Sequence, residues 1–521
     1  MAVGTLGMAE TFGKVYTSAA THVAVDNFAA RINLLDQRVV QRFNEANPDK
    51  PKRRRKLIIR GFKFDVEITA FRSFVGNPTN IDETYASPNA AESDSKWHLE
   101  LSLTHWLLIA LGSPAVRQLN ATEDSQCLID FRQGLPEGSA VELIKEIAEN
   151  TMDRDKLEAA LEDEYQQINK TLEELFISLL SHAEIVCTTP SLSYRKHFVE
   201  WRSARARAIV VDEAGNISRP DLYTVWDYEL KPCLLGGDDR QLLPAVMTEH
   251  HKESRTKNKF FNRHPNDGKI SPLAFFKRSG WPIYRLHTQF RMAEGLFDIC
   301  QQSIYPDVPL QYGPGSNISL PQHKEGRDLE VYLQKKFPGL PKPPSSKLLP
   351  VFVHCVGSKC IDDDITSSKV NKDQIMEALE FIHGFVTEKG TDPSKIAIIA
   401  PYKANARLIE RIRRRVAKYH ALAPMSAAST VDSFQGKERE IVVVVMGTTV
   451  KSGPGFTRDK HRLNVMFSRQ KSGLVVFGDH DVYRHTTKHL QVDGMFDELE
   501  VLRKMYGYFK TCGRLVTTKQ G

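Results

Sequence analysis

Short apolar runs punctuate the chain at Leu57–Ile59, Ile185–Cys187, Ala208–Val211, Cys233–Leu235, Ile396–Ile399, Ile441–Val445 and Leu474–Phe477. They are continuous rather than alternating with polar residues, and each ends in polar or glycine positions. Strands patterned this way are covered on both faces, which predicts parallel sheets of an α/β protein. A further strand is expected at Val15–Ser18, leading into SAATHVAVDN.

Between residues 72 and 180 the texture shifts to helical patterns rich in Leu, Glu and Lys, such as Ala140–Leu180, with a polar Asn/Ser/Pro loop at residues 77–95. This reads as a helical insertion in the first α/β unit. Residues 306–347 carry many Pro and Gly and read as a surface excursion. A boundary near residue 283 divides the chain into domains 1–282 and 283–521.

Composition narrows the class. At 521 residues, 41% apolar and 26% charged, the chain has the make-up of a globular protein. Its apolar run Trp106–Leu111 is far short of the ~20 residues of a membrane span, and the start lacks the order of a signal peptide. A cytoplasmic or nuclear location without membrane contact is expected. Seven irregularly spaced cysteines fit reduced thiols, and His354, Cys355 and Cys360 lack a fourth zinc ligand. The net charge of +7 permits a polyanionic partner. Two basic runs, Lys52–Lys56 (KRRRK) and Arg411–Arg415 (RIRRR), read either as solvated flanks or as nucleic-acid contacts, the first also as a nuclear address.

The opening GTLGMAETFGK imitates a phosphate-binding loop but fails its test. Five residues rather than four separate Gly7 from Gly13, Val15 stands where Ser or Thr is needed, and no buried strand precedes the glycines.

Chemistry concentrates after the predicted strands. AIVVDE, Ala208–Glu213, would deliver Asp212 and Glu213 to the carboxyl edge of a parallel sheet, where α/β proteins bind ligands. The strand Cys233–Leu235 leads into GGDDRQLLP, placing Gln241 where an amide can both donate and accept. Arg291 follows in LHTQFRM, then APYKAN with Tyr402, the loop Ser429–Glu438 before a long strand, and HRLNVMFSRQK with Arg469 on what reads as a helix.

In this order the stretches resemble the motifs of superfamily 1 helicases, particularly the DNA2/NAM7-like branch that includes the nonsense-mediated-decay RNA helicase. Motif II is matched by Asp212-Glu213-Ala214, motif III by Gly237-Asp238 through Gln241, and motif IV by Gln289-Phe290-Arg291-Met292. Motif V is matched by Thr430–Glu438, motif VI by Arg462–Val465 through Ser468-Arg469, and motif Ia by Ser18–Asn27. Phe290 stands where the family usually has Tyr, and Ser468 where it has Thr.

The resemblance implies two RecA-like parallel-sheet domains of the P-loop NTPase type, the first incomplete at its N-terminus, with ATP and Mg2+ as cofactors. It implies that Asp212 holds magnesium, Glu213 activates water, Gln241 reads the γ-phosphate, and Arg291 and Arg469 are arginine fingers. Phe290 would stack on the adenine, Glu438 would hold the ribose, and Gly436 would lie at the nucleotide. Thr21, His22, Tyr402 and Thr430 would touch a single nucleic-acid strand, RNA being expected ahead of DNA. Because the phosphate loop is missing, two expectations stand together: a fragment of an ATP-driven helicase, or a shortened chain that binds nucleic acid or a protein partner without hydrolysis.

Overall fold

The computed structural model describes residues 1–76, 97–149, 165–226, 228–247, 262–362, 368–484 and 495–519. The polar loop expected at residues 77–95 lies outside them. Packing divides the chain into two units, one of residues 1–239 and 243–281, the other of residues 240–242 and 282–521.

The first unit is built on five strands, β1 (Val15–Ala19), β2 (Ile58–Arg60), β3 (Ile185–Thr188), β4 (Ala208–Asp212) and β5 (Cys233–Leu235). All pair in parallel in the order β2-β3-β1-β4-β5. β1 to β3 are buried throughout, as two-sided coverage demands. The helix His22–Ala46 carries the chain from β1 to β2; Thr21 caps it, its side chain accepting from Ala24 N.

Between β2 and β3 lie the helices Phe64–Gly76, Leu103–Leu111, Gln126–Gln133, Ser139–Glu149 and Tyr165–His182. Leu103–Leu111 is buried along nearly its whole length and belongs to the same apolar core as the sheet, so these helices are integral to the unit. Among the described residues no helix is long and apolar enough to cross a membrane.

The second unit holds β6 (Thr288–Gln289), β7 (Gln311–Tyr312), β8 (Val351–Val356), β9 (Ile361–Asp362), β10 (Lys369–Val370), β11 (Ile396–Ile399), β12 (Arg439–Val445), β13 (Gln470–Gly478) and β14 (Leu515–Lys519). Its main sheet runs β11-β12-β13-β8-β14, again all parallel. Ile396, Ile398, Val443 and Val475 face one core, while Ala397, Ile399, Val442, Val444 and Val476 face another. Alternate residues of apolar strands thus fill both sides of the sheet.

Two sequence expectations are corrected here. Residues 306–347 are more than a surface excursion, because the helix Lys324–Lys336 inserts Leu329, Tyr332 and Leu333 into the core. Arg469 is not on a helix: the helix Lys460–Met466 has ended, and β13 begins one residue later.

Candidate active site and strand-binding surface

In the first unit, β4 is buried from Ala208 to Val211 and delivers Asp212 to the carboxyl edge. Asp212 accepts the Glu213 N–H at 3.0 Å, and burial pushes its carboxyl above the usual range. Glu213 leaves the strand with φ 52°, one of two non-glycine residues with positive φ among those described. Such backbone costs free energy and persists where its surroundings hold it.

Those surroundings are the loop after β5. Ala214 N donates to Gly236 O at 2.8 Å, and Gly236 N to Val211 O at 2.9 Å. A Cβ on Gly215 would sit 2.3 Å from Asp238 O, and one on Gly237 2.7 Å from Gly215 N. The Asp-Glu-Ala-Gly and Gly-Gly-Asp-Asp turns therefore interlock backbone to backbone, and glycine is required on both sides.

The opening glycines do not join this site. Residues Ala2–Phe12 form a helix, and Lys14 donates to Ser181 O at 2.8 Å. Thr21 is engaged as the helix cap, and His22 Nδ1 lies 3.1 Å from Arg60 Nη2. KRRRK is likewise spoken for: Arg53 and Lys56 pair with Glu10, Arg54 donates to Ala121 O, and Arg55 to Asn33. Arg53 to Lys56 are structural ties rather than a solvated flank, while Lys52 is exposed.

In the second unit, Arg291 follows β6. Its Nε donates to Glu438 Oε2 at 2.8 Å and its Nη1 to Ser468 O at 2.9 Å. Lys471 also reaches Glu438, at 3.4 Å. Burial pushes the Glu438 carboxyl up, but the Arg291 and Lys471 cations outweigh it and hold it below the ordinary value. Phe290 is 67% exposed and lies over Gly313, where a Cβ would come within 2.5 Å of the ring. Gly436, at φ 76°, turns the chain into Glu438.

Arg469 is 1% exposed and donates to Gln241 Oε1 at 2.7 Å, to Val465 O at 3.2 Å and to Ser468 Oγ at 3.3 Å. Gln241 therefore packs with the second unit, although it follows a strand of the first. The same three-residue excursion is anchored by Arg240, which grips Asp307 at 2.5 and 2.6 Å. Ser468 is thus the meeting point of both arginines.

Tyr402 and Thr430 line a cavity of about 730 Å³ in the second unit. Tyr402 is only 3% exposed; its ring is stacked on Phe456 at 5.4 Å, and its hydroxyl accepts Phe456 N at 3.0 Å. The aromatic surface open to solvent is Phe456, which sequence reasoning missed because it falls outside every motif. Lys403, Arg407 and Arg411 line the same cavity, and their spacing of four was the available signal.

Two units, each built on a parallel sheet, the first delivering paired acids to its carboxyl edge, define a chain with two RecA-like domains of the P-loop NTPase type. Two family models, each described as an AAA domain, match residues 80–249 and 270–481. Regulator of nonsense transcripts 1 from Caenorhabditis elegans is 25% identical over 345 residues, covering 64% of this chain and 29% of that protein. Helicase SEN1 from Saccharomyces cerevisiae is 25% identical over 349 residues, 65% of this chain and 14% of that protein. An uncharacterized ATP-dependent helicase, MJ0104, from Methanocaldococcus jannaschii is 22% identical over 421 residues, 79% of this chain and 57% of that protein. The chain belongs to the superfamily 1 helicases of the DNA2/NAM7-like branch. It spans less than a third of the length of the worm and yeast relatives.

Proposed function

We propose that this chain is part of an ATP-driven helicase that works on single-stranded nucleic acid, RNA ahead of DNA, in the cytoplasm or nucleus. The observation that carries the reading is the condition of the catalytic side chains: Asp212 and Glu213 stand at a strand edge held by interlocked glycine turns, and Arg291, Arg469 and Glu438 gather around Ser468.

The residues fit the implied cofactors in part. A half-buried carboxylate with one described backbone donor suits a hydrated Mg2+, and exposed Phe290 suits a purine face. The usual phosphate cradle does not come from residues 4–14, which are helical up to Phe12. ATP supplies the phosphoanhydride to be broken. Asp212 would hold the cation, and Glu213 would accept the proton of the attacking water. Arg291 and Arg469 answer the negative charge that develops, and Gln241 orients Arg469. Phe290 and Glu438 position the nucleoside, with Gly436 shaping the turn that presents Glu438. Thr21, His22, Tyr402 and Thr430 stand along the strand, Tyr402 by supporting Phe456 rather than by its own face.

The test is strand-stimulated phosphate release by this chain. Turnover that Glu213→Gln abolishes supports the reading. Strand binding without turnover selects instead a helicase-like chain that binds without hydrolysis.

A further inference from the structure

The helix Lys403–Arg415 carries two kinds of basic residue. Arg413 is buried and donates to Glu410, Leu422 O and Met425 O. Lys403, Arg407 and Arg411 instead are exposed and line the cavity, and among the described residues no carboxylate pairs with them. Spacing of four puts them on one face, each step rising roughly 6 Å. That is comparable to the separation of neighbouring phosphates along an extended strand. Asp432, the carboxylate among the described lining residues, is itself paired with Arg462 at 3.3 Å.

The same cavity is lined by Phe456, 52% exposed, its ring backed by Tyr402 and flanked by the Arg462 guanidinium 5.1 Å from its centroid. Tyr402 is fixed at both ends of its hydroxyl, accepting from Phe456 N and donating to Pro454 O. The platform is therefore rigid, as stacking of an unpaired base requires. A row of unneutralised cations lining one cavity with an exposed, supported ring is the pairing that single-stranded nucleic acid demands: cations for its phosphates and a ring for a base.

Resting on the strand-binding reading above, we infer that this cavity seats successive nucleotides of a single strand, with phosphates on Arg407 and Arg411 and one base on Phe456. Phe456 and Arg407 lie outside the stretches that suggested nucleic acid, whereas Lys403 lies in APYKAN and Arg411 opens the RIRRR run.

The experiment measures binding of the full chain to RNA and DNA oligonucleotides across a salt series, apart from any ATPase assay. Phe456→Leu keeps the apolar bulk without the π face and weakens binding about tenfold, with the salt slope unchanged; Phe456→Trp restores it. The double variant Arg407→Ala/Arg411→Ala lowers the slope of log affinity against log salt by about 1.4, two contacts at about 0.7 each. Arg414→Ala/Arg415→Ala, exposed on the same helix but outside the cavity, leaves binding as it was. If wild type binds and Phe456→Leu and the Arg407/Arg411 variant bind equally well, this seat is wrong while the motor reading stands. If wild type binds no strand at all, both fall. Loss of turnover with these binding results intact strikes only the motor reading.

Discussion

Arg291 and Glu438, 147 positions apart in sequence, are joined by a 2.8 Å hydrogen bond from Nε to Oε2. Their side chains remain 34% and 43% exposed, so the pair contributes no more than about 1 kcal/mol to folding. Arg291→Ala is therefore expected to leave the thermal midpoint almost unchanged while strand-stimulated turnover drops about 10³-fold. Melting and phosphate release on the same preparation separate the two roles; persistent turnover would reduce Arg291 to a structural tie.

The same pair sets a pH dependence. Burial raises the Glu438 carboxyl, Arg291 and Lys471 lower it more, and the net value lies below 4.5. A depressed folded value contributes stability above the ordinary carboxylate pKa, and this contribution is lost as pH falls through the folded value. Glu438→Gln should flatten the acid limb of a stability–pH curve below about pH 4.5. An acid limb identical to wild type would contradict this.

Two glycines with opposite surroundings test the opening segment. Gly7 lies inside the helix Ala2–Phe12, and a Cβ there meets nothing within 4 Å. Gly7→Ala is expected to stabilise by about 1 kcal/mol without touching turnover. Gly215→Ala drives a Cβ to 2.3 Å from Asp238 O, and should cost about 1–3 kcal/mol and perturb the acid site. Urea denaturation ranks them; a loss of turnover in Gly7→Ala would restore a phosphate-binding role to that stretch.

Much of this was legible in the sequence, for a physical reason. Each of the seven apolar runs forms a strand, six of them because a strand buried on both faces must be apolar, whereas β5, the edge strand Cys233–Leu235, has Cys233 exposed and its leucines half-buried, so two-sided coverage was not met there. VFVHCV at β8 and LVTTK at β14 escaped because His354 interrupts one and threonines dilute the other. The helix Lys324–Lys336 was hidden between proline-rich flanks. Asp212 and Glu213 stood out because a strand end fixes where side chains go. The partnership of Gln241 with Arg469 spans 228 positions and is a product of tertiary packing that no local pattern encodes.

Asp212 offers a test with an unusual sign. Its carboxylate is half-buried, and its one described donor is a backbone N–H. Removing a charge that is costly to bury should favour the nucleotide-free fold, so Asp212→Asn is expected to raise the thermal midpoint by an amount on the order of 1 kcal/mol in stability while abolishing turnover. Calorimetry in chelator checks it; a lowered midpoint would show that the charge is better compensated than its contacts suggest.

The basic run at the end of the helix Lys403–Arg415 should divide sharply. Arg413, 6% exposed, ties together Glu410, Leu422 O, Met425 O and Ser426 O. Arg413→Ala is expected to cost about 3–5 kcal/mol, since it strands buried acceptors. Arg414→Ala should stay within about 0.5 kcal/mol of wild type. Equal effects on denaturant midpoints would undo the distinction.

The placement of β1 has a consequence for how the chain is made. Val15 lies opposite both Ile185 and Ala208, so β1, in the middle of its sheet, is synthesised before both of its neighbours and has neither until β3 and β4 emerge. The intervening helices can pair locally while β1 waits with both edges bare. Long-range parallel pairing of this kind is slow and prone to wrong partners. During synthesis, Val15–Ala19 is a segment that a chaperone would have to shield until residues 185 and 208 have emerged.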